Sequence, residues 1–75
     1  MQLSDLKKGE KAVITKINCS SRLTKTLESL GVVKGVNVTM IRKAPMGDPI
    51  ELSIFGSIIA LRRMDAKNIL VEKTK

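Results

Sequence analysis

The chain has 75 residues, 43% of them hydrophobic, with one phenylalanine, no tyrosine, no tryptophan and no histidine. That length holds one domain, residues 1–75, and the apolar share argues against disorder. Fourteen Lys and Arg against seven Asp and Glu give a formal net charge of +7, a balance that favours anionic partners such as nucleic acid, acidic lipid headgroups or an acidic protein face.

Met1 to Gly9 reads as a short polar lead-in. Ser4 and Asp5 can cap a single helical turn, and Lys8-Gly9 signals a turn. No apolar run follows Met1, so a secretory leader is not expected. A single cysteine, Cys19, cannot form an internal disulfide, which predicts a reducing, cytoplasmic setting.

Lys11 to Asn18 is dense in β-branched residues and predicts a strand. Ile14 and Ile17 break strict alternation, which predicts a bulge. From Ser20 the period changes. Leu23, Leu27 and Leu30 lie on one face of a helix, with Ser20 or Ser21 as its cap. Gly31 stands where a helix ends in a left-handed residue.

Gly35 opens the next strand, in which Val36, Val38 and Met40 alternate with Asn37 and Thr39. Ala44-Pro45-Met46-Gly47-Asp48-Pro49 must be a loop, since proline donates nothing to a strand ladder. Ile50, Leu52 and Ile54 alternate again. Gly56-Ser57 predicts a tight hairpin, and Ile58 to Arg62 returns as a strand. Asp65 can cap a turn through Ala66 to Asn68. Ile69 to Glu72 closes the chain with Ile69 and Val71 inward. The sum is mainly β: about five short strands in one small barrel, with one inserted helix. Closure of the barrel would remove exposed sheet edges.

The chemistry points to binding. Without histidine the chain lacks the commonest general base and metal ligand. Neither glycine-rich phosphate motif occurs. Cys19 is one soft ligand where structural zinc wants four Cys or His ligands. No enzyme activity, no cofactor and no metal site is therefore expected. Base stacking needs aromatic platforms, and Phe55 stands alone, so no specific nucleic-acid partner is expected.

One string is more pointed: Leu30-Gly31-Val32-Val33-Lys34-Gly35-Val36-Asn37-Val38, then Ile41 to Pro49 with its Ala-Pro-Met-Gly-Asp-Pro run. Ile50-Glu51-Leu52, Ile59-Ala60-Leu61-Arg62, Asp65-Ala66 and Ile69-Leu70-Val71-Glu72 follow in order. This string resembles the FeoA family, the small cytosolic component of bacterial ferrous iron uptake. The likeness runs over nearly the whole chain, including Leu6 to Gly9. It implies an SH3-like β-barrel with an inserted helix, working as an adaptor in a transition-metal system. The implied partner is FeoB, a large membrane protein with a cytosolic GTP-binding domain. Through that partner the chain would sit at the membrane without crossing it.

The candidate contact residues follow. Leu30 and Val33 can form an apolar edge where the helix lies on the barrel. The loop Pro45, Met46, Asp48 and Pro49 is stiffened by its prolines, so little ordering entropy is lost on binding. Met46 is suited to an apolar pocket. Arg42, Lys43, Arg62 and Arg63 can meet an acidic surface. Exposed edges on so small a barrel also allow self-association. Two rival readings stand beside this one. The first is a detached SH3-like regulatory domain of a metal-dependent repressor of the DtxR type. The second is a small basic RNA-binding barrel.

Overall fold

The alternating segments form five strands, and the computed structural model, which describes residues 1–74, runs them as β1 (Lys11–Ile17), β2 (Asn37–Lys43), β3 (Ile50–Ile54), β4 (Ser57–Leu61) and β5 (Ile69–Lys73). A single 3-10 turn, Leu3–Asp5, precedes them. Helix α1 (Ser21–Ser29) joins β1 to β2, and the short α2 (Arg63–Ala66) joins β4 to β5. All pairings are antiparallel, and the strand order is β4-β3-β2-β1-β5.

The inward residues share rows because opposed residues in an antiparallel pair point to one face. Met40, Leu52 and Ile59 make one such row, and Ile14 and Val71 make another. With Ala12, Val38, Ile50, Ile54, Leu61 and Ile69 they form an aliphatic core. The offbeat spacing in β1 is a bulge. Its register against β5 shifts between Ile14 and Lys16, and that of β2 against β3 shifts between Met40 and Arg42. Each extra residue increases local twist, which curls the sheet around its core.

Helix α1 forms where the leucine spacing predicts. The Ser20 hydroxyl accepts from the Leu23 N–H at 3.2 Å and caps it. Gly31 ends it with φ +88°, while the Val32 N–H turns back to the Leu27 carbonyl at 2.8 Å. Leu27 is the buried residue of the helix, with Leu23 packed partly against the core.

Three expectations need correction. The first nine residues are more than a polar lead-in, because Leu3 and Leu6 are fully buried. Their segment is drawn inward by pairing: the Val71 N–H donates to the Met1 carbonyl, and Gln2 bridges Leu70. The two-residue turn of the β3–β4 hairpin is Phe55-Gly56, one residue earlier than Gly56-Ser57, and both of its residues have positive φ. Closure is also incomplete. Among the described residues no ladder joins β4 to β5, so the small curled barrel keeps two sheet margins that are not hydrogen-bonded to each other.

The ends of β1 and β5 are tied electrostatically. The Lys73 ammonium pairs with the Glu10 carboxylate, and the Lys7 N–H donates to it at 2.6 Å. Lys73 first and Lys7 second hold Glu10 below its ordinary pKa of 4.5. A carboxylate depressed in the folded state stabilises above its unfolded pKa and loses that contribution as pH falls through the folded one. Glu10→Gln is therefore expected to have a lower urea midpoint than the parent at neutral pH. The two midpoints are expected to converge as pH falls below 4.5.

Candidate partner interface

The proline loop leaves β2 at Lys43 and enters β3 at Ile50. The Ala44 N–H donates to the Pro49 carbonyl at 3.0 Å, and the Gly47 N–H donates to the Ala44 carbonyl at 2.6 Å. The loop is thus closed at its base. The Asp48–Pro49 peptide is cis, and Gly47 has φ +84°. Met46 stands at the outer turn, 91% exposed. Pro45, Asp48 and Pro49 are exposed beside it.

A second tether reaches across the sequence. The Asp48 carboxylate accepts from the Arg63 N–H at 2.9 Å and so caps α2. Asp65, expected to cap this turn, lies inside it. The reason is positional. The unpaired N–H at the helix start faces the loop, and Asp48 reaches it from there. The Arg63 guanidinium lies so close to Gly47 that a Cβ on that glycine would stand 3.3 Å from it. Met64 follows on α2, 75% exposed. The structure therefore brings Pro45, Met46, Asp48, Pro49 and Arg63 into one ledge made by the loop and the start of α2. Arg62, exposed, immediately precedes α2.

Two of the basic candidates are engaged within the fold. Arg42 lies opposite Glu51 in the β2–β3 ladder and pairs with its carboxylate. The Lys43 ammonium donates to the Ser4 carbonyl at 2.8 Å, tying the N-terminal turn to β2. Both remain exposed.

Leu30 and Val33 belong to a different patch. Leu30 is 49% exposed at the end of α1, and Val33 is half-buried. Phe55 lies over Gly31 there: a Cβ on the glycine would be 3.7 Å from the ring. The ring itself is 83% exposed. This patch and the loop flank opposite ends of the five-residue β3, roughly 15 Å apart at about 3.3 Å per residue. Phe55, Met64 and Ile58 are absent from the candidates drawn from sequence. A signal existed for Phe55, the one aromatic residue in the chain, set directly before a turn glycine.

No group of three or more His, Cys, Asp or Glu side chains among the described residues is placed to hold a metal ion. Cys19 sits in the turn from β1 to α1, and burial first and Asp65 second push its thiol pKa up. That disfavours the thiolate, the form that attacks and ligates. Among the described residues no helix is long and apolar enough to cross a membrane.

A family model described as "FeoA domain" matches residues 1–73. The chain is 36% identical over 72 residues to a fusion protein of Fe(2+) transport protein A and the Fe(2+) transporter FeoB from Porphyromonas gingivalis, covering 96% of this chain and 8% of that protein. The solution structure of FeoA from Chlorobium tepidum is 36% identical and superposes with a TM-score of 0.96, covering all (100%) of this chain and 71% of the other. Zinc-complexed FeoA from Stenotrophomonas maltophilia, described as a procaryotic SH3 domain protein, is 32% identical with a TM-score of 0.79, covering 96% of this chain and 89% of that one.

Proposed function

The chain belongs to the FeoA family, a non-catalytic accessory component of ferrous iron transport with an SH3-like fold, and from that premise we propose that it docks on the cytosolic region of a FeoB-type membrane GTPase. One observation carries this reading. In the Porphyromonas gingivalis relative the matching segment and FeoB are one polypeptide. A covalent link of that kind raises the effective concentration of two modules for each other without new contacts. Parts that work in contact gain most from it.

The whole chain, residues 1–75, acts in this reading as one domain, working in the cytoplasm and held at the membrane by its partner. The ledge of Pro45, Met46, Pro49 and Arg63 is its leading contact surface. The loop is closed at its base and tied to α2 through Asp48. It therefore loses little freedom on docking. Met46 supplies a flexible apolar anchor, and Arg63 with Arg62 supplies positive charge beside it.

Calorimetry with a purified FeoB cytosolic region, with and without guanine nucleotide, tests the proposal. Saturable binding is expected. Met46→Glu is expected to weaken it about 10- to 100-fold, as loss of a central anchor does. The residue is almost fully exposed, so its fold is expected to stay unchanged. No heat of binding under either nucleotide condition would refute the docking.

A further inference from the structure

A sheet margin presents a row of backbone N–H and C=O groups, and such a row recruits another strand unless something blocks it. This molecule treats its two margins differently. The margin at β5 is covered. The Val71 N–H donates to the Met1 carbonyl at 2.8 Å, and the Met1 amino group donates to the Val71 carbonyl at 3.2 Å. The margin at β4 is bare. Ser57-Ile58-Ile59-Ala60-Leu61 contains no charge and no proline. Its ladder with β3 runs from Ile50↔Leu61 to Ile54↔Ser57 with no register shift. Charge, proline and bulge are the usual guards of an edge, and β4 has none of them. Ile58 is 63% exposed on it, and Ala60 is exposed as well.

The hairpin decides which backbone groups are free. Ile54↔Ser57 closes a two-residue turn and is a hydrogen-bonded pair. Bonded and non-bonded pairs alternate along an antiparallel ladder, so Leu52↔Ile59 and Ile50↔Leu61 are bonded too. Ile58 and Ala60 therefore aim their N–H and C=O groups outward, away from β3.

We propose that β4 pairs antiparallel with β4 of a second copy of this chain, about a two-fold axis at Ile59. That register sets Ile58 of each copy against Ala60 of the other, and each such pair exchanges two hydrogen bonds between the outward groups. A large residue meets a small one on the exposed face. Ile59 meets Ile59 on the core face. No like charges oppose each other within the paired strands. The interface is isologous, so one register satisfies both copies. The same register carries Arg62 of one copy to the Phe55-Gly56 turn of the other, where a guanidinium and an aromatic ring attract.

This association does not use the proline loop and does not depend on the docking proposed above, although Arg62, between β4 and α2, borders both surfaces. Two bodies that each carry +7 repel. Salt screens that repulsion, so self-association strengthens as ionic strength rises. Docking on an acidic partner changes in the opposite direction.

Sedimentation velocity of the full chain, over a wide concentration range at low and high salt, tests the pairing together with amide exchange. A concentration-dependent dimer is expected, stronger in high salt, with the Ile58 and Ala60 amides slowing as the dimer fills. Ile58→Lys puts a charge at an exposed position twice per dimer and is expected to weaken association about tenfold or more. The inference fails if the chain stays monomeric throughout, or if Ile58→Lys leaves the dimer intact. It also fails if the Ile58 and Ala60 amides exchange equally fast in monomer and dimer.

Discussion

Leu27→Ala is expected to remove about 2–5 kcal/mol of stability and to loosen α1 before the sheet. Leu27 is 1% exposed and is the buried side chain of α1. A helix of nine residues does not hold itself together in water. Its place on the barrel therefore depends on this leucine, with Leu23 and Val32 on either side. Truncation removes the transfer energy of the lost carbons and leaves a cavity that the rigid sheet cannot collapse to fill. A domain of this length holds about 4–11 kcal/mol in total, at roughly 0.05–0.15 kcal/mol per residue. The variant is thus expected to lose a large part of its stability. Urea unfolding reads this as a lower midpoint with an unchanged slope. Amide exchange in Ser21–Ser29 is expected to quicken more than at Leu52 in β3. If the midpoint moves no further than for the exposed control Lys25→Ala, Leu27 is not what holds the helix.

The sequence announces this helix clearly, because leucines at helical spacing, a serine cap and a terminal glycine all agree. The strands are legible for the same reason. Val38 and Met40 alternate in β2, as Ile50, Leu52 and Ile54 do in β3, and all are buried. Local agreement of this kind marks a sequence whose short-range preferences support its fold. What escapes is long-range. Leu3 and Leu6 carry no periodic signal among polar neighbours, and the packing of their turn against β5 and α2 buries them. Asp48 caps a helix that starts fifteen residues later, a contact that no spacing rule encodes. Lys43 reads as a free surface cation and instead holds the Ser4 carbonyl. The site is legible in the same proportion. The proline loop is visible from composition, since two prolines and a glycine exclude a strand. Its union with Arg63 and the separation of Leu30 from it depend on how β3 spans the sheet.

Phe55→Asn is expected to stabilise the protein while weakening its contacts, a combination that a purely structural residue cannot give. Phe55 occupies the first position of a two-residue hairpin turn with φ +52°, and Gly56 follows with φ +81°. That turn favours Asn-Gly, because asparagine enters the left-handed region with little strain and a bulky aromatic does not. The mismatch costs about 1–3 kcal/mol. The ring recovers little by burial, being 83% exposed where it lies over Gly31. Asparagine is therefore expected to gain about 1 kcal/mol, read as a rise in Tm of roughly 4–8 °C for a domain this small. Strain that the fold does not need persists where contact requires it. The ring lies over Gly31, the residue that follows Leu30, and Phe55 immediately precedes Gly56 and β4. The same variant is accordingly expected to lower affinity for the FeoB cytosolic region in calorimetry, or to weaken the β4-paired dimer in sedimentation. A drop in Tm would show that the ring holds the hairpin in place. A rise in Tm with both associations intact would leave the strained aromatic without a contact role.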